Sequence, residues 1–236
     1  MLLYQPKNGY CYNSDTHILY SFIKKNLDIF KNIKGELLDI GSGSGILGIL
    51  ICKYNNNLRL NQCEIQDIFQ KLSFINSKNN NIGSNLYKGD FTILEFDKKF
   101  EICISNPPFY KKGVVKSKNE NIKIARYNEY LPLEAFIKKS YNILTQNGKF
   151  FFCYDVKQLD DIIYLLNIYK FNIESIQFIH PNIDKNATLV LIYARKNSKS
   201  MTKVLEPIVV FENGEFSMNI NKIYNATSTY SIKVDL

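Results

Sequence analysis

One stretch limits the fold more than any other. Glu36 to Ile40 reads as a short strand with Leu37-Leu38-Asp39-Ile40 at its centre. It runs into Gly41-Ser42-Gly43-Ser44-Gly45, and Ile46 to Leu50 then reads as the start of a helix. Strand, glycine loop and helix in this order form the first unit of an α/β nucleotide-cofactor fold. Glycines let the backbone approach a ligand, and the helix N-terminus faces it. The spacing is G-x-G-x-G after an acidic residue, not the G-x-G-x-x-G that cradles a pyrophosphate, and no phosphate-binding Lys-Ser or Lys-Thr follows. Asp39 beside the loop would attract an ammonium or sulfonium and repel a diphosphate. A flexible loop is the competing reading of the five residues.

The segments downstream fit further strands with chemistry at their ends. Leu58 to Cys63 is a second strand with Glu64 at its end and Ile65 after it. Glu64 lies about 20 residues past the glycine loop, where a doubly wound fold places the carboxylate for ribose hydroxyls. A solvated Glu at a strand end is the alternative. Leu86-Tyr87-Lys88 is a third strand ending in Gly89-Asp90-Phe91. Asp90 is suited to accept from an adenine amino group, or to cap a turn. A fourth, buried strand, Phe100 to Ile104, ends at Ser105-Asn106-Pro107-Pro108-Phe109-Tyr110. Two prolines stop a strand abruptly, because each lacks an N–H and biases the preceding residue towards extended backbone. The Asn106 side-chain oxygen and the Pro107 carbonyl then form a rigid pair of acceptors beside the Phe109 ring. Such a cluster suits a flat group bearing an NH2. A Pro-Pro turn with a core phenylalanine is the plainer reading.

Elsewhere the chain supplies helices, loops and charge. Asn13, Ser14 and Asp15 are credible N-caps for an amphipathic helix carrying Ile18, Leu19, Phe22, Ile23, Leu27 and Phe30, after an irregular lead-in from Gln5 to Tyr12. Lys111 to Tyr130 is expected to be a mobile basic loop holding Lys111, Lys112, Lys116 and Arg126. A helix from Pro132 to Leu144, a central strand over Lys149 to Cys153 and a helix over Leu159 to Tyr169 follow. Asn172 to Ile179 and Thr188 to Ala194 then pair as terminal strands. Arg195 to Lys203 is expected as a second mobile loop, and the remainder as a tail. One domain over 1–236 is expected: a cap and helix in 1–35, a core in 36–196 and an appendage in 197–236.

The formal net charge of +8 and the pI of about 9.1 favour an anionic partner, nucleic acid before membrane. The five cysteines are odd in number, scattered and mostly in apolar runs, which suits free thiols in a reducing cytoplasm. Two isolated histidines suggest no metal cluster, and no signal peptide is apparent.

Taken together, Asp39-x-Gly41-x-Gly43-x-Gly45, Glu64, Asp90 and Asn106-Pro107-Pro108-Phe109 resemble the S-adenosylmethionine-dependent methyltransferases that act on amino groups. Further stretches are similar to the bacterial tRNA(Val) adenine-37 N6-methyltransferase family. These are Gln5-x-x-x-Gly9-Tyr10-x-Tyr12-x-x-Asp15, Ala125-Arg126 before Leu131-x-Leu133, His180-Pro181, and Leu205-Glu206-Pro207-Ile208 leading to Ile223-Tyr224. Cys11 stands where that family usually carries Arg. The resemblance implies an α/β, three-layer, doubly wound Rossmann-like fold with a seven-stranded, mostly parallel sheet whose last strand is antiparallel. It implies S-adenosylmethionine as methyl donor and S-adenosylhomocysteine as product. Asp39, Gly41, Ser42, Gly43 and Gly45 would surround the methionine part. Glu64 would hold the ribose hydroxyls and Asp90 with Phe91 the adenine, with Ile65 also against the cofactor. Asn106, Pro107, Pro108 and Phe109 would hold the target amine and its base, and Asn106 would also touch the cofactor. Tyr10, Tyr110, Lys111, Lys112, Lys116 and Arg126 would engage tRNA, with no membrane and no obligate protein partner expected. The competing functions are methylation of a guanine N2 in rRNA or of a release-factor glutamine, a dehydrogenase, and a non-catalytic RNA-binding scaffold. The absent G-x-G-x-x-G and the intact tetrad argue against the last two.

Overall fold

The computed structural model describes residues 1–30, 32–110 and 120–235. Its elements in chain order are β1 (Leu2–Pro6), α1 (Ser14–Leu27), β2 (Gly35–Ile40), α2 (Ile46–Tyr54), β3 (Leu58–Glu64), α3 (Asp67–Asn79), β4 (Ser84–Lys88) and β5 (Phe100–Ser105). These are followed by α4 (Glu120–Arg126), α5 (Leu133–Ile143), β6 (Leu144–Asp155), α6 (Leu159–Ile168), β7 (Phe171–Asn182) and β8 (Leu189–Lys196). The chain closes with β9 (Lys203–Val204), β10 (Ile208–Glu212), β11 (Glu215–Phe216), α7 (Met218–Thr227) and β12 (Tyr230–Val234).

The main sheet has the order β11-β10-β7-β8-β6-β5-β2-β3-β4, with β9 on β7. Strands β2 to β6 run parallel, and β8 runs antiparallel to both β6 and β7. Strand β2 lies between β3 and β5, so the order reverses there. A crevice opens at such a switch point, outside the carboxyl ends of the strands. That end of β2 carries the glycine loop, and that end of β5 carries the Asn-Pro-Pro-Phe run.

Side chains alternate across the sheet with the two-residue period of a strand. Leu37, Ile102, Ile104, Phe151 and Cys153 face one side, with Phe22 and Ile23 of α1 and Ile49 of α2. Leu38, Ile40, Cys103, Phe150 and Phe152 face the other, with Phe136 and Ile137 of α5 and Ile162 of α6. Both faces are therefore dry, which gives the expected three-layer α/β arrangement.

Several expectations are corrected. The main sheet extends beyond seven strands, because β10 adds in parallel to β7 and β11 pairs back on β10. The C-terminal segment is thus built into the sheet rather than trailing as a tail. Its last strand, β12, pairs in parallel with β1, so the irregular lead-in expected over Gln5 to Tyr12 gives way to strand at Gln5 and Pro6, while Lys7 to Tyr12 carry no helix or strand. Asn76 of α3 fixes β1 by accepting from the Tyr4 N–H at 2.7 Å and donating to the Tyr4 carbonyl at 2.9 Å. The expected basic loop is helical over Glu120–Arg126, where backbone N–H groups find i−4 acceptors such as Tyr127 N–H on the Lys123 carbonyl. The segment read as a second mobile loop is tied down as well. Thr202 donates to the Ile173 carbonyl, Asn172 to the Ser200 carbonyl, and Arg195 to Ser198.

Candidate active site

The glycine loop is folded by its neighbours. The N–H groups of Gly41 and Ser42 donate to the Cys63 carbonyl, at 2.9 and 3.0 Å, and Gly45 N–H donates to the Ser42 carbonyl. The N–H of Gly43 donates to Glu64 Oε2 at 2.8 Å, while Glu64 Oε1 accepts from Gln66 N–H at 2.9 Å. Glu64 is therefore oriented by backbone on both oxygens, with acceptor capacity left over for a hydroxyl. Burial raises its pKa above the ordinary value, against those backbone bonds. Asp39 is 2 % exposed and accepts from Gly48 N–H in the first turn of α2, at 2.9 Å. Its burial pushes its pKa up to about 7.

Two glycines have the conformation that the loop requires. Gly41 and Gly43 sit at φ +65° and +53°, and a Cβ on either would meet nothing within 4 Å. The backbone leaves open space there, on the side of the crevice. Ser42 Oγ and Gln66 Oε1 are buried polar atoms with no partner among the described residues, and both residues line the crevice. Buried polar groups are normally bonded. Orphaned oxygens beside an open glycine cradle and a fixed carboxylate fit a polar nucleoside cofactor without a diphosphate.

Three recesses meet here. The first is lined by Gly41, Gly43, Glu64, Ile65, Asp90 and Phe91, together with Phe69, Ile124, Ala125, Tyr130 and Leu131. The second lies over Asp39, Ser42 and Ser44. The third is lined by Asn13, Asp15, Pro107, Pro108, Phe109, Tyr110, Ala125 and Arg126. Tyr10 and Asn106 line all three. Ile65 is 40 % exposed, which leaves an apolar face at the carboxyl end of β3. Phe91 is buried against Phe96 and Phe136. Asp90 Oδ1 accepts from both the N–H and the hydroxyl of Thr92, so that oxygen shapes a turn.

The Asn106 amide is held from two elements. Its Nδ2 donates to Thr16 Oγ1 on α1 at 3.0 Å, and its Oδ1 accepts from the Cys153 thiol on β6 at 2.8 Å. One lone pair of Oδ1 remains for another donor. Phe109 packs at 4.9 Å from Tyr110 and 5.8 Å from Tyr154, and its carbonyl accepts from Gln158. Tyr110 exchanges backbone bonds with Arg126 and Asn128, which ties the tetrad to α4. Arg126 stands 6.0 Å from the Tyr10 ring centroid. Tyr10 is held in its neutral form by burial first, and by the Asp15 charge second.

Lys111, Lys112 and Lys116 lie outside the described residues. Among the described residues, no cluster of metal-ligating side chains is present, and no helix is long and apolar enough to cross a membrane. All five cysteines are free thiols. Sequence reading missed Phe69, Ile124, Ala125, Tyr130 and Leu131 as cleft residues, because apolar side chains in short helical runs look the same whether they face a core or a ligand. Of the three cap candidates Asn13, Ser14 and Asp15, Asn13 is the N-cap, and Asp15 lines the third recess, a place that the spacing of the sequence does not show.

Known proteins bear on this geometry. A tRNA1(Val) (adenine(37)-N6)-methyltransferase from Christiangramia forsetii is 29 % identical over 119 residues, covering 48 % of this chain and 49 % of that protein. A protein of the same description from Flavobacterium psychrophilum is 22 % identical over 178 residues, covering 72 % and 76 %. The ribosomal RNA small subunit methyltransferase C of Haemophilus influenzae is 27 % identical over 139 residues, covering 52 % and 42 %. The chain thus spans about half the length of the first of these relatives and less of the last. Among solved structures, a predicted O-methyltransferase from Agrobacterium tumefaciens superposes with a TM-score of 0.67 at 18 % identity, covering 93 % of this chain and all of that one. The Thermus thermophilus 16S rRNA N2 G1207 methyltransferase, solved with AdoMet and guanosine, does so at 0.57 and 17 %, covering 81 % and 45 %. These likenesses establish the Rossmann-like fold. The family model of the methyltransferase small domain matches residues 13–163, which run from the cap of α1 through the glycine loop and the tetrad into α6; the chain belongs to that family.

Proposed function

We propose that the protein transfers a methyl group from S-adenosylmethionine to the exocyclic N6 of an adenine in tRNA, next to the anticodon. The observation that carries this reading is that Asn106 lines both the glycine-loop crevice and the recess beside Pro107 and Phe109. A donor in the first and a base in the second would meet at that side chain. The relatives described as tRNA adenine methyltransferases support the choice of base and RNA, as does the net charge of +8.

The cofactor supplies a methyl already activated by a sulfonium, so the protein's work is positioning and charge stabilisation. Asp39, Gly41, Ser42 and Gly43 would hold its methionine part, Glu64 the ribose hydroxyls, and Asp90 and Phe91 the adenine, with Ile65 beside Glu64; Gly45, expected in the same set, lines none of the three recesses, and its Cα faces Gln62 and Ser73 instead. Asn106 Oδ1, braced by Cys153 and Thr16, accepts from the target amine and stabilises it as positive charge develops there. The Pro107 carbonyl takes the second hydrogen. Phe109 stacks on the base once it has left its normal stack. Lys111, Lys112, Lys116 and Arg126 contact phosphates, which position RNA without reading its sequence.

The test is nucleoside mass spectrometry of tRNA and rRNA from a deletion strain, followed by methylation of the same RNA by the purified protein. Loss and restoration of N6-methyladenosine in tRNA is the expected result. Loss of N2-methylguanosine from rRNA would select the alternative represented by the ribosomal RNA relatives. Unchanged RNA with an unmethylated release-factor glutamine would move the substrate to protein.

A further inference from the structure

Methylation leaves the target nitrogen with one proton too many, and the tetrad offers no base to take it. An amide oxygen and a backbone carbonyl accept hydrogen bonds but not protons at neutral pH. The Cys153 thiol already donates to Asn106, and burial raises its pKa well above the ordinary value. Burial likewise keeps Tyr10 protonated. One group of the right kind lines the same recess as Asn106, Pro107 and Phe109. Among the described residues of that recess, Asp15 is the sole carboxylic acid.

We propose that Asp15 accepts the proton that the target amine sheds, acting across the recess from Asn106. This rests on the reading of the protein as an amino-group methyltransferase. The nitrogen lone pair forms the new N–C bond, and the pair of the breaking C–S bond stays on sulfur. One amine proton passes to the Asp15 carboxylate, which returns it to water when product leaves.

The geometry supports the role in three ways. Asp15 Oδ2 accepts from Asn13 Nδ2 at 2.8 Å and Oδ1 from Ser14 Oγ at 3.3 Å. Both donors are neutral, so each oxygen keeps a lone pair and no cation neutralises the carboxylate among the described residues. Asp15 also lies in the first turn of α1, where Asn13 Oδ1 caps its N–H, so its backbone is fixed. Finally, burial raises its pKa, with the Asn13 and Ser14 bonds opposing, which makes it a better proton acceptor than a solvated Asp. The titratable and charged groups around the carboxylate are Tyr10, Cys153 on β6 and Tyr224 on α7, with Arg126 and Tyr110 beyond Tyr10.

The plainer role for a first-turn carboxylate is to stabilise the helix terminus, and the experiment separates the two. Single-turnover methylation of RNA from the deletion strain is followed against pH for the wild-type chain, Asp15→Asn and Asp15→Glu. Calorimetric binding of S-adenosylhomocysteine is measured on each. Asp15→Asn should slow transfer by about 100-fold or more and lose the fall in rate at acid pH, while Asp15→Glu recovers part of the rate and keeps that fall. Ligand affinity should stay within about threefold. An Asp15→Asn rate and pH profile like wild type would overturn the proposal. So would a ligand affinity that falls in step with the rate, since the carboxylate would then be supporting the fold. Wild type that methylates a guanine N2 instead would refute the adenine reading and leave the Asp15 comparison intact. Wild type that methylates no amine would remove both.

Discussion

The Cys153 thiol, near the carboxyl end of β6, donates to Oδ1 of Asn106 at 2.8 Å. A side chain of the neighbouring strand thus sets the orientation of the amide that ends β5. The register explains how: Ser105 pairs with Phe152, so Cys153 and Asn106 follow side by side. Cys153 is fully buried and points to the α1 face, the same face from which Thr16 holds the other end of the amide.

If that thiol positions Asn106, replacing it should affect transfer more than binding. A net hydrogen bond is worth about 0.5–1.5 kcal/mol, so Cys153→Ala should slow single-turnover methylation by about 3–10-fold. Cys153→Ser keeps a donor and should recover most of the rate. Equal rates for Ala and Ser would show that the sulfur only fills space.

Asn106→Ala removes the acceptor itself. The rate should fall by about 10²–10³, the usual effect of losing one charge-stabilising group. Affinity for S-adenosylhomocysteine should change by less than about tenfold, because the Gly41–Gly45 loop and Glu64 are fixed independently by Cys63, Gly43 and Gln66. Phe109→Ala should instead weaken RNA binding, by about 1–3 kcal/mol for a lost stacked base. Near-normal transfer by Asn106→Ala, measured beside calorimetric binding, would reduce the tetrad to a structural turn.

Stability should also report the buried carboxylates. Asp39 has an unfolded pKa near 3.8 and a folded one of about 7, raised chiefly by burial. The folded state therefore holds the proton more tightly. Its contribution is full below the unfolded pKa and is lost as pH rises through about 7. Glu64 shifts in the same direction. The ligand-free protein should melt at a lower temperature at pH 8.5 than at pH 6, at matched ionic strength. Asp39→Asn, which can still accept from Gly48 N–H, should remove much of that difference. An undiminished difference in the variant would assign the pH dependence to other groups.

The sequence made the sheet core legible because its strands are short apolar runs ending in Gly, Pro or acidic residues. Each such ending, at Asp39, Glu64, Asp90 and Asn106, lies on the crevice. The C-terminal segment was hidden for the opposite reason. Strand β12 buries little, and its residues Tyr230 to Val234 carry no strong alternation of exposure. Its partner β1 is more than two hundred positions away, joined through pairs such as Leu2 with Tyr230. The inner face of α3 was hidden by chemistry. Besides Phe69 and Leu72 it presents Ser73 and Asn76. Asn76 donates to the Ser44 carbonyl at 2.8 Å as well as to β1. A helix that binds backbone with buried amides does not show its inward side as a hydrophobic stripe.

The glycines of the loop should separate fold from ligand. At Gly45, φ +83°, a Cβ would stand 2.4 Å from Gln62 Nε2 and 3.2 Å from Ser73 Cα, so a methyl group there collides with β3 and with the α3 backbone. Gly45→Ala should destabilise by about 1–3 kcal/mol from overpacking, in addition to about 1–2 kcal/mol for a left-handed non-glycine residue. Gly43→Ala carries only the second cost, because its Cβ meets nothing within 4 Å. That methyl projects into the space proposed for the cofactor. Gly43→Ala should therefore melt only about 2–8 °C below wild type when free, yet gain much less on addition of S-adenosylhomocysteine, since a ligand raises the melting point only by binding the folded state. Gly45→Ala should melt well below wild type before any ligand is added. A full ligand-induced shift in Gly43→Ala would mean that the open side of the loop does not face the cofactor.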